Sequence, residues 1–171
     1  MTRAGRGSRK KLGFDPIDEA ARQWGQRWNA VEQMHAVTSL MRVQQLVLAQ
    51  LDEILRPHGL TFARYEALVL LTFSRNGSLP LGKMGERLQV HPTSVTSIVD
   101  RLEAAGHVAR RRHPEDGRTV LAEITDAGRE VVELATRDLV SARFALADVP
   151  AERLRELSDL LRPVRQAAGD F

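Results

Sequence analysis

The chain has 171 residues, of which 43% are hydrophobic and 27% are charged, a composition that excludes wholesale disorder and favours one domain with its own apolar core. It contains no cysteine, which excludes disulfides, thiolate-bound zinc and cysteine nucleophiles. No apolar run is long enough to predict a membrane span and no secretory signal is recognised, so we expect a cytoplasmic protein that does not enter membranes.

The net charge of +3 is unevenly distributed along the chain. The first eleven residues carry five basic side chains and no acidic one, so the other 160 residues carry 20 basic and 22 acidic side chains. We expect residues 1–13 to form a flexible basic tail, which is either a solvated charged segment or an arm that binds phosphates. Any nucleic-acid interface in the folded part must therefore rest on local clusters of charge.

The apolar pattern predicts two helices between residues 15 and 56. Asp15 directly before Pro16 is a typical helix start, and Asn29 leaves room for a break between the helices. A second apolar face then runs over residues 34–55. Because one neighbouring helix of average length cannot cover this face, we expect it to pair with a second copy of the chain.

The middle of the chain predicts three more helices. Thr61 is a candidate cap for the first, residues 74–78 form a loop, and a short helix follows from Leu81 to Leu88. The third has the clearest pattern, since apolar residues recur every three or four positions over residues 91–105 after the start signal His91-Pro92-Thr93.

Beyond residue 106 the apolar pattern changes to alternation, which predicts a β-hairpin. Its strands cover residues 107–113 and 119–124, with a turn between them. The first strand contains three consecutive arginines, and these cannot all face water on an alternating strand, so we expect at least one to have a partner. Two further helices follow, and the fold class is mainly α with a small β-hairpin wing.

A short helix, a tight turn, an amphipathic helix and a hairpin together predict a winged helix-turn-helix. The outer face of helix 91–105 offers hydroxyl groups and an arginine, which can bond to phosphates and base edges, and its first amides can bind a phosphate. The alternative is an ordinary surface helix rich in serine and threonine. The candidate DNA contacts are His91, Pro92, Thr93, Ser94, Thr96, Ser97, Arg101, Arg110, Arg112 and Arg118.

The turn of the hairpin, residues 114–118, presents an arginine that can enter a minor groove. Narrow A·T tracts attract a guanidinium, which makes Arg118 the candidate wing contact. Asp116 carries the same sign of charge as DNA, so we expect it to hold Arg118, or a neighbour such as Arg110, in position.

The stretch from Leu102 to Gly128 resembles the winged-helix segment of the MarR family of bacterial transcription regulators. That family has a leucine-glutamate pair and a glycine at the end of its recognition helix, an Asp-x-Arg wing and a Leu-Thr-x-x-Gly start of the next helix. The matching residues are Leu102, Glu103, Gly106, Asp116, Gly117, Arg118, Ile124, Thr125 and Gly128, with isoleucine in place of the usual leucine.

The resemblance implies one MarR-like domain over residues 14–171. It implies dimerisation helices at 15–56 and 129–168 and a DNA-binding lobe at 61–125, with helix 91–105 in the major groove and wing 107–124 at the minor groove. We therefore expect a nucleoid-associated homodimer that binds a pseudo-palindromic operator, acts as a repressor and is released by an effector bound where the dimerisation helices meet the lobe.

The added N-terminal helix is similar to that of the urate- and aconitate-responsive branch of the family, where a tryptophan and arginines serve anionic ligands. This similarity implies a small anionic effector. The alternative is that both tryptophans pack the added helix against the dimer core. The candidate ligand residues are Trp24, Trp28, Arg22, Arg27 and Arg64.

Other classes of function have little support in the sequence. The five histidines are far apart and form no metal-ligand spacing, and no phosphate loop or nucleophile elbow occurs. We therefore expect no enzyme, no bound metal and no cofactor. Two alternatives stay open, a metal-responsive regulator of the same fold and an interaction module without DNA binding; only a DNA regulator should lose duplex affinity steeply with salt.

Overall fold

The computed structural model describes residues 12–171. The predicted basic tail therefore lies outside the described residues, except for its last two. The described chain forms two compact units, one that ends at residue 46 and one that covers residues 47–171. No helix within residues 12–171 combines the length and the apolar character needed to cross a bilayer.

The first unit contains α1 (Pro16–Trp24) and most of α2 (Val31–Leu55). The Asp15 carboxylate caps α1 by accepting a hydrogen bond from the Ile17 amide at 2.8 Å, as expected for aspartate before a proline. The predicted break lies between the helices, where Ala30 has a φ of 56°. The imidazole of His35 on α2 lies 2.9 Å from Asp18 on α1 and ties the two helices together.

The second unit contains the winged helix-turn-helix and the C-terminal helices. A 3₁₀ turn, Arg56–His58, separates the end of α2 from the next helix. The elements that follow are α3 (Phe62–Thr72), β1 (Ser78–Pro80), α4 (Leu81–Leu88), α5 (Pro92–Ala104), β2 (Val108–Arg112), β3 (Val120–Ile124), α6 (Asp126–Ser141) and α7 (Ala151–Ala167).

The wing is a three-stranded antiparallel sheet in the order β1-β3-β2. β2 and β3 form the predicted hairpin, with Val108 opposite Ile124 and Arg112 opposite Val120. β1 was missed, because the sequence predicted only a loop and a helix here. It has three residues and lies opposite β3, with Leu79 across from Ala122, and so short a segment has no alternation to detect.

One face of α5 packs against the hydrophobic core of this unit. Val95, Val99 and Leu102 are each at most 1% exposed, and side chains of this size contribute roughly 1.5–3 kcal/mol each when fully buried. The largest other side chains that are fully buried come from α2, α3, α4 and α6, namely Leu55, Leu68, Leu71, Met84 and Leu139. Burial of this face leaves the opposite face of α5 free.

Two close contacts fix the helices around α5. A Cβ on Gly85 of α4 would lie 3.3 Å from both the Val90 carbonyl oxygen and Val95, so glycine lets α4 approach α5 closely. At the start of α6, the Thr125 hydroxyl accepts a hydrogen bond from the Gly128 amide at 3.0 Å, which is the cap that the threonine-glycine pattern indicated.

The start of α3 is capped differently from the prediction. Thr61 occupies the cap position, but its hydroxyl forms no cap hydrogen bond. The Asp52 carboxylate on α2 accepts instead from the Phe62 amide at 2.7 Å. A carboxylate ten residues away in sequence satisfies the first amide of α3, so this interaction also links α3 to α2.

Candidate nucleic-acid interface

The outward face of α5 carries the polar side chains that the sequence predicted. Thr93, Ser94, Thr96, Ser97 and Arg101 are all exposed, and so are His91 and Pro92 at the start of the helix. Within residues 12–171 the hydroxyls of Ser94 and Ser97 form no hydrogen bond, and Arg101 forms no ion pair. The structure therefore leaves one arginine and several hydroxyls of this face available to an external partner.

The first turn of α5 is organised by His91. Its Nδ1 accepts a hydrogen bond from the Thr93 amide at 3.3 Å, and its carbonyl oxygen accepts one from the Ser94 amide at 2.8 Å. The Thr96 hydroxyl donates to the Pro92 carbonyl at 3.2 Å, which leaves the Thr96 oxygen free to accept. This turn fixes the direction of the exposed hydroxyls at the helix start.

The turn of the wing is built by two side chains. Asp116 accepts hydrogen bonds from the Arg118 amide at 3.0 Å and from the Thr119 hydroxyl at 2.6 Å. These bonds hold the pKa of Asp116 below its ordinary value, and the bond from Thr119 has the larger effect. His113 Nδ1 accepts from the amides of Glu115 and Asp116, each at 3.2 Å.

Asp116 holds the wing arginine through the backbone amide of that arginine. It bonds to the backbone of Arg118 rather than to a guanidinium, and its carboxylate has no contact with Arg110. Arg118 is exposed at the turn, and its guanidinium has no ion-pair partner among the described residues. The turn thus presents the Arg118 side chain without engaging its charge.

Arg110 connects the hairpin to α5. Its Nη2 lies 2.5 Å from Asp100 Oδ1, its Nη1 pairs with Glu103, and its amide donates to Glu103 at 3.1 Å. Partial burial opposes the charged form of this guanidinium, but the bonds to Asp100 and Glu103 prevail and raise the pKa of Arg110. Because both carboxylates occupy this guanidinium, its predicted contact with DNA is not supported.

The three consecutive arginines have different surroundings, as alternation on a strand requires. Besides the pairs of Arg110, Arg111 lies 3.6 Å from Glu123 on β3, which confirms that at least one arginine has a partner. Arg112 is exposed and forms no ion pair with any residue between 12 and 171. The sequence did not reveal Asp100 and Glu103 as partners of Arg110. The available signal was strand alternation, which places Arg110 on the same inward face as the buried Val108.

Comparisons with known proteins identify this architecture. Residues 63–120 match the model of the MarR family. The chain is 30% identical to the HTH-type transcriptional repressor MdtR of Bacillus subtilis over an alignment of 132 residues. The alignment covers 76% of this chain and 83% of MdtR. The chain belongs to the MarR family of transcriptional regulators.

Solved structures of the MarR family agree with this assignment. Sco5413 of Streptomyces coelicolor is 58% identical and superposes with a TM-score of 0.78 over 83% of this chain and 99% of its own. Sco3205 of the same organism, solved in complex with DNA, is 25% identical with a TM-score of 0.73 over 82% and 90%. The predicted family and fold class are confirmed, and relatives named as transcriptional regulators also bear out the prediction of a non-enzyme.

The residues implied by the urate- and aconitate-responsive branch of the MarR family are mostly engaged within the protein. The Trp24 and Trp28 rings are 4.7 Å apart, and the Trp24 Nε1 donates to the Asn29 carbonyl at 2.8 Å. Arg22 binds Glu19 through two hydrogen bonds of 2.7 and 3.0 Å. These bonds are the main reason that the pKa of Glu19 falls to about 2.

The other two arginines of this candidate set differ in their surroundings. Arg27 is exposed and lines a cleft of about 460 Å³ together with Arg22, Trp24 and Trp28. Arg64 belongs to the other unit, where it donates to the Thr61 hydroxyl at 3.2 Å and to the Gly59 carbonyl at 3.1 Å. Membership of this branch stays a prediction.

A second cavity, between α3 and α6, was not indicated by the sequence. It has a volume of about 350 Å³ and is lined by Tyr65, Val69, Phe73, Thr136 and Arg137 among others. The Tyr65 hydroxyl lies 2.9 Å from that of Thr136, and Phe73 is 84% exposed. Aromatic, hydroxyl and cationic groups thus meet in one cavity, a common composition for small-molecule sites.

Of the three histidines that the fold could gather around a metal ion, His58 and His113 have other partners, whereas Nδ1 of His107 is buried without a hydrogen-bond partner in the described part of the chain. His58 Nε2 lies 2.8 Å from Asp138, and His113 bonds to the amides of the wing turn. Within residues 12–171 no group of three histidine, aspartate or glutamate side chains is arranged to hold a metal ion. The metal-responsive alternative stays a prediction.

Proposed function

We propose that the protein is a repressor that binds a pseudo-palindromic operator as a homodimer, with α5 in the major groove and the wing at the flanking minor groove. The two-sided character of α5 is the observation that carries this proposal. Its apolar side is buried to 1% exposure or less, while its hydroxyls and Arg101 are exposed. A helix docked in this way can enter a groove without losing core contacts.

The proposed contacts differ from the predicted set at one residue. Arg101 supplies a guanidinium for a guanine edge or a phosphate, and Arg118 supplies one for the minor groove. Arg112 is exposed and contributes to phosphate binding. Arg110 pairs with Asp100 and Glu103 instead and is not among the proposed DNA contacts. The contacts on the first turns of α5 are His91, Pro92, Thr93, Ser94, Thr96 and Ser97.

Exposed apolar side chains on the helices at both ends of the chain support a homodimer. On α2, Val37 and Met41 are 54% and 49% exposed. On α7, Leu157, Leu160 and Val164 are 45%, 71% and 57% exposed, and no residue of that helix is buried. Exposed apolar side chains clustered on a helix mark an interface, and a second copy of the chain presents the same helices in return.

Selection from genomic DNA tests the proposed function. Purified protein is mixed with fragmented DNA, bound fragments are sequenced, and affinity for the resulting consensus is measured at increasing salt. We expect two half-sites about 10 base pairs apart and a steep linear fall of log affinity with log salt. Failure to select any consensus, with no salt-dependent duplex binding, would contradict the proposal.

Two changes to the chain sharpen this test. Arg118→Ala should weaken binding through the flanking minor groove, so unchanged operator affinity would contradict the wing assignment. Removal of residues 1–13 should reduce affinity for all duplexes alike, since a cluster of basic side chains binds phosphates rather than base edges. A loss confined to one sequence would show that the arm reads bases.

Release by a small anionic effector is supported by two clefts that contain arginine. The tryptophan cleft has Arg22 and Arg27 in its lining, and the cavity between α3 and α6 has Arg137 together with Glu133. Aromatic carboxylates are suitable probes, because each cleft combines rings with arginine. Arg137→Ala should abolish their binding if the effector occupies the cavity between α3 and α6, and Arg27→Ala should abolish it if the tryptophan cleft is used. Calorimetry that shows no binding of any such probe would remove the effector from the proposal.

A further inference from the structure

The turn that presents Arg118 depends on an unprotonated nitrogen of His113. Two backbone amides, those of Glu115 and Asp116, donate to His113 Nδ1 at 3.2 Å each. A ring nitrogen that carries a proton cannot accept a hydrogen bond, so the imidazole is neutral with its proton on Nε2.

His113 acts on Arg118 through Asp116. The Asp116 amide donates to the His113 ring, and the Asp116 carboxylate accepts from the Arg118 amide at 3.0 Å. The backbone closes the same turn, because the His113 amide donates to the Thr119 carbonyl at 2.9 Å. The bonds of the His113 ring are therefore among the contacts that set the position of Arg118.

We infer that His113 is a positioning residue for operator recognition, whose neutral ring holds the wing turn and whose protonation releases it. This inference rests on the proposed function, since Arg118 is the wing contact assigned there. Imidazole is the side chain whose charge ordinarily changes between about pH 5 and 8. Sequence discrimination at the wing thus decreases when the His113 ring is protonated.

Charged groups beside the ring determine what a protonated His113 would do. A groove of about 630 Å³ lies next to it, to which α4 contributes Lys83 and Glu86, paired at 3.0 Å, and the turn contributes Asp116 and Arg118. Imidazolium is repelled by Lys83 and Arg118 and is attracted to the carboxylates of Glu86 and, within the turn, Asp116. Pairing with the Asp116 carboxylate would compete with the bonds that hold Arg118.

Asp116 itself does not titrate in this pH range. Its pKa lies below the ordinary value of 3.8, mainly because of the Thr119 hydroxyl bond, so the carboxylate stays ionised above about pH 5. A change in wing behaviour between pH 5 and 8 is then assigned to a histidine rather than to Asp116.

The direction of the effect separates this inference from a simple charge effect. A histidine that only lies near DNA gains positive charge in acid, and binding to every duplex becomes tighter. Loss of the wing turn reduces discrimination between flanking sequences, although the added charge favours binding. The ratio of two affinities is therefore the quantity to measure.

His113→Asn is the diagnostic variant. Asparagine Oδ1 accepts from the amides two and three residues ahead in an Asx turn, the same two amides that His113 binds, but it does not titrate. His113→Ala removes the acceptor. His35→Asn is the matched control, since it makes the same substitution at a histidine that pairs with Asp18 outside the wing.

The experiment measures affinity for the selected operator and for the same duplex with G·C flanks, at about pH 8 and about pH 5.5 and constant ionic strength. We expect the affinity ratio of the parent to fall about five- to tenfold in acid, which is the lower end of the range for two coupled equilibria in one protein. The His35→Asn variant should follow the parent. His113→Asn should keep a high ratio at both values, and His113→Ala a low one. A parent ratio independent of pH, or a His113→Asn ratio that falls like the parent's, would overturn the inference.

Nitrogen NMR of the free protein provides a readout that needs no DNA. We expect His113 Nδ1 to be unprotonated near neutral pH and the Arg118 amide to shift with titration of the ring in the parent but not in His113→Asn. Titration of His113 without movement of the Arg118 amide would overturn the inference. Absence of any operator would instead overturn the proposed function. The NMR readout would then still decide whether the His113 ring holds the Arg118 amide.

Discussion

Replacement of Arg110 by glutamine should weaken both the fold and DNA binding. The substitution removes the charge that pairs with Asp100 and Glu103 and keeps an uncharged polar side chain that is shorter than arginine. The Arg110 side chain is 26% exposed, whereas its partners are 58% and 41% exposed. Solvent therefore screens both ion pairs, although the guanidinium itself is largely shielded.

The expected destabilisation follows from these exposures. Exposed ion pairs contribute about 0.2–1 kcal/mol each, and the two pairs share a partly buried guanidinium, so we expect a loss of about 1–2 kcal/mol in the free energy of unfolding. For a chain of this length that corresponds to a decrease in Tm of roughly 2–8 °C. Calorimetry at fixed protein concentration measures it, because association shifts Tm by mass action.

Arg111→Gln is the matched control for stability. Arg111 lies 3.6 Å from Glu123 and its side chain is 65% exposed, so its loss should cost less than about 0.5 kcal/mol. Equal effects of the two substitutions, or no effect of Arg110→Gln, would refute the assignment of Arg110 as the connection between β2 and α5.

DNA binding provides a second readout for Arg110. Without its guanidinium, the carboxylates of Asp100 and Glu103 on α5 are uncompensated and repel phosphates, so we expect operator affinity to fall by about tenfold. Adding Asp100→Asn and Glu103→Gln to the variant should restore most of that affinity. If the triple variant binds as weakly as Arg110→Gln, charge compensation is not the role of this residue.

Three further predictions concern packing, association and pH. Gly128→Ala should lower stability by about 1–3 kcal/mol, since a Cβ would lie 2.2 Å from a backbone carbonyl oxygen. Gly82→Ala should raise stability by about 0.5–1 kcal/mol, because nothing lies within 4 Å of the new Cβ. Thermal melts with the reverse order would contradict this packing. Leu160→Glu, at a side chain 71% exposed in one subunit, should yield folded monomers in sedimentation, and a persistent dimer would remove α7 from the interface. The Glu19–Arg22 pair should stabilise α1 above pH 4.5 and lose this contribution as pH falls through about 2, because the pKa of Glu19 is lowered; an acid titration by NMR that shows an ordinary Glu19 pKa would contradict the pairing.

The sequence predicted the parts of the interface that depend on local periodicity. The boundaries of helix 91–105 differ from those of α5, Pro92–Ala104, by one residue at each end, because the proline start signal and the apolar repeat act within the helix itself. The same repeat separated the buried Val99 from the exposed Ser97 and Arg101. Local pattern was thus sufficient to orient the proposed DNA-binding face.

Features that depend on contacts distant in sequence were not predicted. β1 exists because Leu79 lies across from Ala122, and no local pattern contains that pairing. The partners of Arg110 are known only once β2 packs against α5. The cap of α3 comes from Asp52 rather than from the adjacent threonine, because a folded helix pair brings a carboxylate to the free amide.

DNA recognition by α5 is tested most directly by the operator affinity of Arg101→Ala. Arg101 is exposed, so its removal should leave the fold intact while reducing operator affinity by about tenfold or more and flattening the salt dependence by about one unit if it binds a phosphate. Arg153→Ala on α7, a similarly exposed arginine 2.7 Å from Glu156, should bind like the parent. Equal operator affinities for the parent and Arg101→Ala would contradict the placement of α5 in the major groove.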